Sequence, residues 1–265
     1  MRSSTQGGPR PLLRAAADRT AVGLLLLVAW QLASLAAGDY WFSSPLTTWR
    51  TVLAGLESGE LVRHSAYTLG AAALGFAIGG VPGVWLPMLL RRSPRLRRIL
   101  DPFMVAGYGL PKLALAPLFV LWFGIGAEAK VVLVASVVFF LLFFSTTAGV
   151  QAIEPRMIQM ARVAGATNGQ ILRKIVWPSV LPHVFNGIRI ATPYAIGGVV
   201  ISELISSNRG LGYLVQLGAT NFSAPDIFAA VVTITVVTGA ASWVVGLAEH
   251  RASRWRGRIA NDPTA

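Results

Sequence analysis

The sequence has no cysteine, few charged residues and even fewer acidic ones. Without cysteine, the chain of 265 residues has neither disulfide bridges nor thiolate metal sites. Charged residues make up 13% of it, whereas a soluble domain carries about 25%. The polar coat of a soluble protein is therefore missing, in agreement with a mean hydropathy of +0.60. A large soluble helical protein is the poorer alternative to a membrane protein.

Motifs that mark several classes of enzyme are also missing. The sequence has no G-x-x-x-x-G-K-[ST] loop for nucleotide phosphates, no G-x-S-x-G turn and no H-E-x-x-H zinc helix. Its three histidines, His64, His183 and His250, are scattered and do not form a metal-ligand pattern. We expect no catalytic residue, metal or cofactor in this chain. Motif absence alone leaves open an active site assembled from distant residues.

Apolar runs of about 20 residues, the length of a helix that crosses a bilayer, recur along the chain. The runs are residues 21–38, 66–90, 102–123, 129–150, 183–205 and 226–247. They predict an all-α, polytopic membrane protein with about six transmembrane helices. The domain organisation expected is an N-terminal tail (1–20), a transmembrane domain (21–250) and a C-terminal tail (251–265).

Basic residues are distributed unevenly among the segments between these runs. If the N-terminus is cytoplasmic, the cytoplasmic segments hold 17 Lys and Arg residues and the outer segments hold four, one of them Lys130. Cytoplasmic loops of membrane proteins carry the excess of Lys and Arg, so we expect both termini in the cytoplasm. Topology then explains the net charge of +12, and no nucleic acid partner is needed.

Two ionisable residues within the runs are candidates for a translocation path. Lys112 lies near the middle of the third run, where facing lipid would cost about 3 kcal/mol. It either attracts an anionic solute or binds a structural partner, such as a carbonyl freed beside Pro111. Glu203, near the outer end of the fifth run, either pairs in an outer gate or meets water at the interface. The translocation-path candidates are Lys112, Pro111, Tyr108, Tyr194 and Glu203.

Glycine and proline within the runs indicate close packing and kinks. Gly75-x-x-x-Gly79 would let two helices approach closely, and ordinary helix packing is its favoured interpretation. Pro82, Pro117 and Pro193 each remove a backbone hydrogen bond, which membrane helices tolerate where protein or water satisfies the freed groups. Six kinked helices without a catalytic cluster suggest a conduit rather than an enzyme.

Two outer segments have patterns of their own. Residues 44–64 have the pattern of a short amphipathic helix on the outer interface. Residues 206–225 mix Gly, Asn and Ser with apolar residues, which suits either a gate with a partly re-entrant element or a plain surface loop. The outer-gate candidates are Gly210, Gly212 and Tyr213.

The segment 152–182 lies between the fourth and fifth runs, on the cytoplasmic side of this topology. Residues 155–165 can form a helix that ends at Gly165, and residues 167–177 a second helix that Pro178 stops. Two short helices that project from the membrane form a surface that another protein can bind. Periodicity alone does not distinguish it from a solvated amphipathic loop.

The spacing in this segment resembles the EAA loop of permease subunits of ATP-binding-cassette (ABC) importers, whose pattern is E-A-A-x3-G-x9-I-x-L-P. The chain reads Gln159-Met160-Ala161, then Gly165 after three residues, then Ile175-Val176-Trp177-Pro178 after nine more. Gln, Met and Trp stand where the pattern has Glu, the first Ala and Leu. LALAPLFVLWFGIGAEAKVVLV (113–134) and ISELISSNRGLGYLV (201–215) are similar to the nitrate/sulfonate/taurine branch of these permeases.

The resemblance covers about residues 44–256 and implies a multi-pass permease of the bacterial cytoplasmic membrane. It implies a dimer of permeases, two cytoplasmic ATPase subunits that bind ATP and Mg²⁺, and an external solute-binding protein that delivers a small anionic or aromatic solute. The residues expected at the ATPase contact are Gln159, Met160, Ala161, Gly165, Ala166, Ile175 and Pro178. Gly165 would let the two short helices meet closely, and Ala161 would let the ATPase approach.

Two other classes of protein are alternatives. A stand-alone secondary transporter or channel would need an acid near the membrane midplane to couple an ion, whereas the acids of this chain lie near the ends of the runs. An integral membrane enzyme is disfavoured because no His, Asp or Ser constellation is clustered in the sequence.

Overall fold

The structure, a computed structural model, describes residues 10–38 and 40–252, and these form helices and connections without a strand. The helices are α1 (Arg10–Ala37), α2 (Pro45–Glu57), α3 (Glu60–Leu90), α4 (Pro94–Gly109), α5 (Ala116–Phe123), α6 (Ala127–Gln151), α7 (Pro155–Val163), α8 (Asn168–Ile171), α9 (Trp177–Ile205), α10 (Leu211–Thr220) and α11 (Ala224–Ala252). A 3₁₀ turn (Lys112–Leu115) precedes α5, and a π-helical turn (Leu172–Val176) precedes α9. Most of the two expected tails lies outside the described residues.

Among the described residues, five helices are long and apolar enough to cross a membrane. They are α1, α3, α6, α11 and the continuous helix Asn168–Ile205, which contains α8 and α9. The all-α membrane architecture predicted from the sequence is confirmed.

The expected third span, residues 102–123, is not a single helix. α4 and the stretch Lys112–Phe123 meet at an angle of 74°. Leu110 has extended backbone at the break, because the ring of Pro111 disfavours helical backbone in the residue before it. Counted as one broken span, this pair brings the number of spans to six.

α3, α6 and α9 form the centre of the fold. A buried cluster joins them: Ala71, Ala72, Val134, Val138, Leu142, Ala191, Ala195, Ile196 and Val199. α3 and α6 run parallel with their backbones close together. A Cβ at Gly75 would lie 2.7 Å from the Cβ of Val134, and one at Gly79 would overlap the Ala135 carbonyl. The packing interpretation of Gly75-x-x-x-Gly79 is confirmed, since close backbone contact is what holds helices together in lipid.

The helices around this centre are attached by fewer contacts. From Thr20 to Ala37, α1 is apolar and mostly exposed. It contacts the rest of the protein through Trp30, whose indole N–H donates to the Ser43 carbonyl at 2.9 Å and whose ring stacks on Phe228. A short helix was expected over 44–64; α2 ends at Glu57, and the rest of that segment begins α3. Val52, Leu61, Leu211 and Ala229 form the small core that joins α2, α3, α10 and α11.

The direction of the chain places two groups of residues at opposite ends of the central helices. α3 and α6 begin, and α9 ends, at the end that holds residues 60–68, 126–130 and 203–213, which we call the gate end. α3 and α6 end at the other side, where residues 88–92 and 150–182 lie, and we call this the coupling end.

Candidate functional site

At the coupling end, α7 closes in a hydrogen-bond pattern that fixes the turn after it. The Ala166 N–H donates to the Ala161 carbonyl, and the Gly165 N–H donates to the Arg162 carbonyl, both at 2.9 Å. This pair of bonds is the Schellman motif, which favours a residue in the left-handed backbone region between helix and loop. Gly165 is that residue, with φ of +81°. The prediction that Gly165 ends the first helix is confirmed.

The reason expected for this glycine, a close approach of two helices, is wrong. A Cβ at Gly165 would meet nothing within 4 Å. The position therefore has room for a side chain, and what it requires is a positive φ, which glycine adopts without steric penalty.

Replacing Gly165 with valine should open the turn, whereas asparagine should be tolerated. Left-handed backbone costs an L-residue about 1–2 kcal/mol, with asparagine among the exceptions, so valine should raise the population of the open segment roughly tenfold. Trypsin cleavage at Arg162 and Arg173 of the detergent-purified protein measures this population. Equal cleavage rates in the two variants would contradict a conformational role for Gly165.

The second half of the segment is continuous with the following transmembrane helix. Thr167 caps α8 in a capping box: its hydroxyl accepts from the Gln170 N–H at 3.3 Å, and its N–H donates to Gln170 Oε1 at 2.8 Å. The chain then passes through the π-helical turn into α9 without a break.

The expectation that Pro178 stops this helix is therefore wrong. Pro178 lies in the first turn of α9, and it is preceded by the π-helical turn, in which the Trp177 N–H donates to the Leu172 carbonyl. The Ser179 hydroxyl donates to the Ile175 carbonyl at 2.7 Å, which satisfies one of the carbonyls in this region. Local π geometry and Ser side chains are common means of accommodating proline in membrane helices.

The inner face of the coupling segment is packed against the chain's own core. Its buried cluster consists of Met88, Val150, Ile153, Ile171, Val176, Val180 and Val184. Ala161, Ala166 and Ile175 contact this cluster, and Pro178 is half-buried beside it. The small side chain of Ala161 is thus used in packing within the chain, which ties the segment to α3, α6 and α9.

The outer face of α7 is apolar and uncovered. Met160 is 72% exposed and Val163 is 90% exposed, and Met157 is exposed beside them. Gln159 is exposed on the same helix. An apolar face on a helix whose other face is packed into the core is the kind of surface that a protein partner covers.

Three arginines, one of them in α7, lie near one another at the coupling end. The pKa of Arg91 is lowered by burial and by the nearby charges of Arg92 and Arg162. The Nε atom of Arg91 is buried, and within the described ranges it has no hydrogen-bond partner; nor does an ion pair join these arginines to a carboxylate there. Uncompensated cations at the same end of the protein as an apolar face favour a partner with acidic side chains.

Lys112 lies at the break of the third span. Its ammonium group donates to the Tyr108 carbonyl at 3.0 Å and to the Leu110 carbonyl at 3.4 Å. It also lies 4.4 Å from the ring centroid of Phe140 and 5.6 Å from that of Tyr108. The Leu110 carbonyl also accepts the Lys112 backbone N–H at 2.8 Å, so the carbonyl freed at the break is that of Tyr108. The structural partner considered in the sequence is therefore present. A role for Lys112 in transport stays a prediction.

The structure brings together three of the five translocation-path candidates, places a fourth on the neighbouring helix α9 and separates the fifth. Tyr108, Pro111 and Lys112 adjoin at the break. Gly198 of α9 faces Leu113, so Tyr194, one turn earlier and half-exposed, lies on the same side of α9. Glu203 is instead at the gate end.

Glu203 is buried, with 1% of its surface exposed, so the interpretation that it meets water at the interface is wrong. The Thr68 hydroxyl lies 3.0 Å from both carboxylate oxygens, and the Gly212 N–H donates to one of them at 2.9 Å. The Leu211 N–H in turn donates to the Thr68 hydroxyl oxygen at 2.9 Å. Glu203 therefore ties α3 to the start of α10.

The three outer-gate candidates all contact this site. The Gly210 N–H donates to His64 Nδ1 at 2.9 Å, and the ring of Tyr213 stacks on that imidazole at 5.8 Å between centroids. Gly210 has φ of +106°, and a Cβ there would overlap the Glu203 carboxylate. A Cβ at Gly212 would lie 2.7 Å from the Glu203 Cβ. Both glycines allow the backbone to close over the carboxylate.

Lys130 was counted with an outer segment in the sequence, whereas it lies in the first turn of the membrane-spanning helix α6 and is 1% exposed. Its ammonium group donates to the Ser207 hydroxyl at 2.8 Å and lies 4.8 Å from the ring centroid of Tyr67. It also interacts electrostatically with Glu203. We call His64, Thr68, Lys130, Glu203 and Ser207 the polar cluster.

Sequence reasoning missed most of the polar cluster, although two signals were present. Lys130 stands inside the apolar stretch AEAKVVLV rather than beside it. His64 and Thr68 are four residues apart and therefore share a face of α3, the face that continues into the core at Ala71 and Ala72.

The chain is similar to transport permeases of bacteria. The family model for the inner membrane component of binding-protein-dependent transport systems matches residues 71–254. The riboflavin transport system permease protein RibX of Chloroflexus aurantiacus is 32% identical over 234 residues, 88% of this chain and 87% of the relative. The taurine transport system permease protein TauC of Escherichia coli is 30% identical over 245 residues, 90% and 89% of the two chains.

Solved structures with a similar fold are also ABC transporters. An inward-facing MetNI methionine ABC transporter matches with a TM-score of 0.56 and 22% identity, over 71% of this chain and 90% of that chain. An amino acid ABC transporter matches with a TM-score of 0.59 and 19% identity, over 75% and 97%.

Proposed function

Since the chain belongs to the family of inner membrane components of binding-protein-dependent transport systems and is the permease of an ABC importer, we propose that residues 152–182 couple it to a cytoplasmic ATPase. The observation that carries this proposal is the construction of the segment. Its inner face is packed into the core of α3, α6 and α9, and its outer face presents Met160 and Val163 uncovered.

Such a construction transmits force. A partner that moves α7 moves the ends of α3 and α6 and the beginning of α9 with it, because the buried cluster joins them. The Schellman turn and the capping box stiffen the two short helices, so that a push is passed on rather than absorbed. ATP-driven closure of the partner ATPases thereby switches the permease between its two open states. The exposed Gln159 stands where the motif has an acid, and the arginines at the coupling end favour an acid supplied by the partner.

The partners that we propose follow from the same premise. Two ATPase subunits bind ATP and Mg²⁺, since the sequence of this chain has no phosphate-binding loop. Two permeases form a homodimer, and an external binding protein delivers the solute. The break at Lys112, with Tyr108 and Tyr194 beside it, lies on an incompletely covered side of the chain, and we place the translocation path there.

We place the coupling end and both termini in the cytoplasm of the bacterium. The excess of Lys and Arg on that side supports this orientation. The gate end, with the polar cluster and α10, then faces outward and meets the binding protein.

We propose a small anionic or aromatic solute, because relatives named for taurine, riboflavin, aliphatic sulfonates and formylaminopyrimidine match over at least 80% of this chain. Uptake of taurine, ethanesulfonate, nitrate, formylaminopyrimidine and riboflavin should be compared in cells with and without the gene. We expect uptake of one of them to fall to background without it, to survive an ionophore and to cease when ATP is depleted. Uptake that stops with the ionophore while ATP is intact would instead favour a stand-alone secondary transporter.

A further inference from the structure

The gate end contains a cavity that no part of the coupling mechanism uses. It has a volume of about 500 Å³ and is lined by Arg63, His64, Tyr67, Asn208 and Arg209. These side chains are hydrogen-bond donors or cations, and none is an acid. The volume is within the usual range for small-molecule sites.

The two arginines of this cavity are not neutralised by the chain. Within the described residues, the ion pairs join Arg97 to Asp101 and Arg189 to Glu249, and neither Arg63 nor Arg209 takes part in one. Glu203, the acid of the polar cluster, lines the adjoining cavity and has the cation Lys130 near it, so it offsets at most a part of the charge of the two arginines. The cavity therefore has a positive potential that its own walls do not cancel.

The polar cluster holds the wall of this cavity in place. Ser207, which accepts from Lys130, donates to the Arg209 carbonyl and accepts from the Arg209 N–H at 3.2 Å. Gly210 is bound to His64. Tyr67 forms another wall and lies against the Lys130 ammonium group. Arg209 is thus carried on a backbone fixed at both sides, which makes a prearranged site rather than a loose surface charge.

We propose that this cavity receives the anionic group of a small solute, such as a sulfonate or a carboxylate, at the outer mouth of the permease. Arg63 and Arg209 bind its oxygens, Asn208 donates a further hydrogen bond, and Tyr67 contacts the rest of the solute. Planar guanidinium groups are well suited to such oxyanions. This inference rests on the proposed orientation, with the gate end outside.

The absence of cysteine from the chain makes a direct test possible. An Asn208→Cys variant has a single thiol in the cavity, and its labelling rate can be measured with a methanethiosulfonate that carries a sulfonate and with one that carries a trimethylammonium group. We expect the anionic reagent to be favoured, and the ratio of rates to fall roughly tenfold when Arg63→Gln and Arg209→Gln are added, since local charge changes encounter rates by such factors. Ethanesulfonate alone should slow the labelling.

The matched control is Arg50→Gln, which removes an exposed cation of α2 and should leave the ratio unchanged. A ratio that does not depend on Arg63 and Arg209 would overturn the proposal, as would protection that requires the binding protein. The assay needs no ATPase, so it is independent of the coupling mechanism. Labelling in inverted vesicles but not in intact cells would reject the orientation and leave the anion site standing.

Discussion

Replacing Val163 with aspartate should abolish binding of the cytoplasmic ATPase while leaving the permease folded. Val163 is 90% exposed at the end of α7, and exposed substitutions change stability by about 0.5 kcal/mol or less. In the assembled transporter the same position would bury a carboxylate that its neighbour Arg162 does not face, because adjacent residues of a helix point to different sides. A buried charge without a partner costs about 3–5 kcal/mol. At about 1.4 kcal/mol per tenfold, the affinity should fall at least a hundredfold. Co-purification of the ATPase and stimulation of its hydrolysis measure the effect.

Gln151→Glu is the matched control for this substitution. Gln151 is exposed at the same end of the protein, in α6 rather than in α7, and the change adds the same negative charge. We expect the control to bind and stimulate the ATPase as the wild type does. If Val163→Asp behaved in the same way, the outer face of α7 would not be the contact.

The architecture could be predicted from the sequence because few backbone structures are stable in a bilayer. Runs of about 20 apolar residues must be helical in lipid, and five helices together with one broken pair meet the criteria for spans among the described residues. The third span could not be predicted in detail. Pro111 was visible, but whether a proline kinks a helix or breaks it depends on what satisfies the freed carbonyls, and here the Lys112 side chain does so.

The position of the coupling segment in the chain could be predicted from the sequence, but its helix boundaries could be predicted only in part. The helix end at Gly165 was predicted correctly, because a Schellman turn involves only neighbouring residues and a glycine in the sequence indicates it. The continuation past Pro178 was missed, since it depends on the π-turn and on the buried side of Ile171 and Val176. Single members of the polar cluster had signals in the sequence, but their contacts could not be predicted because the members are far apart in sequence. Thr68 and Glu203, for example, are separated by 135 residues.

Replacing Glu203 with leucine should strongly destabilise the gate end. The change removes the acceptor of the Gly212 N–H and of the Thr68 hydroxyl, and an unsatisfied buried group costs about 1–3 kcal/mol. It also removes the negative charge with which the buried Lys130 interacts electrostatically, which adds to the destabilisation. Glu203→Gln keeps an acceptor and loses only the charge, so its effect should be smaller. Thermal unfolding of the purified protein should rank wild type, glutamine and leucine in that order.

Two further variants test whether the loss of stability comes from this hydrogen-bond network or from the removal of any acidic residue. Glu57→Leu removes an exposed acid at the end of α2 and should leave the unfolding temperature near that of the wild type. Thr68→Val combined with Glu203→Leu should destabilise less than the sum of the two single changes, because groups in one hydrogen-bond network are not additive. Additive effects would mean that Thr68 and Glu203 act separately. Less-than-additive effects would show that one bonded unit holds α10 against α3, and with it the backbone that carries Arg209.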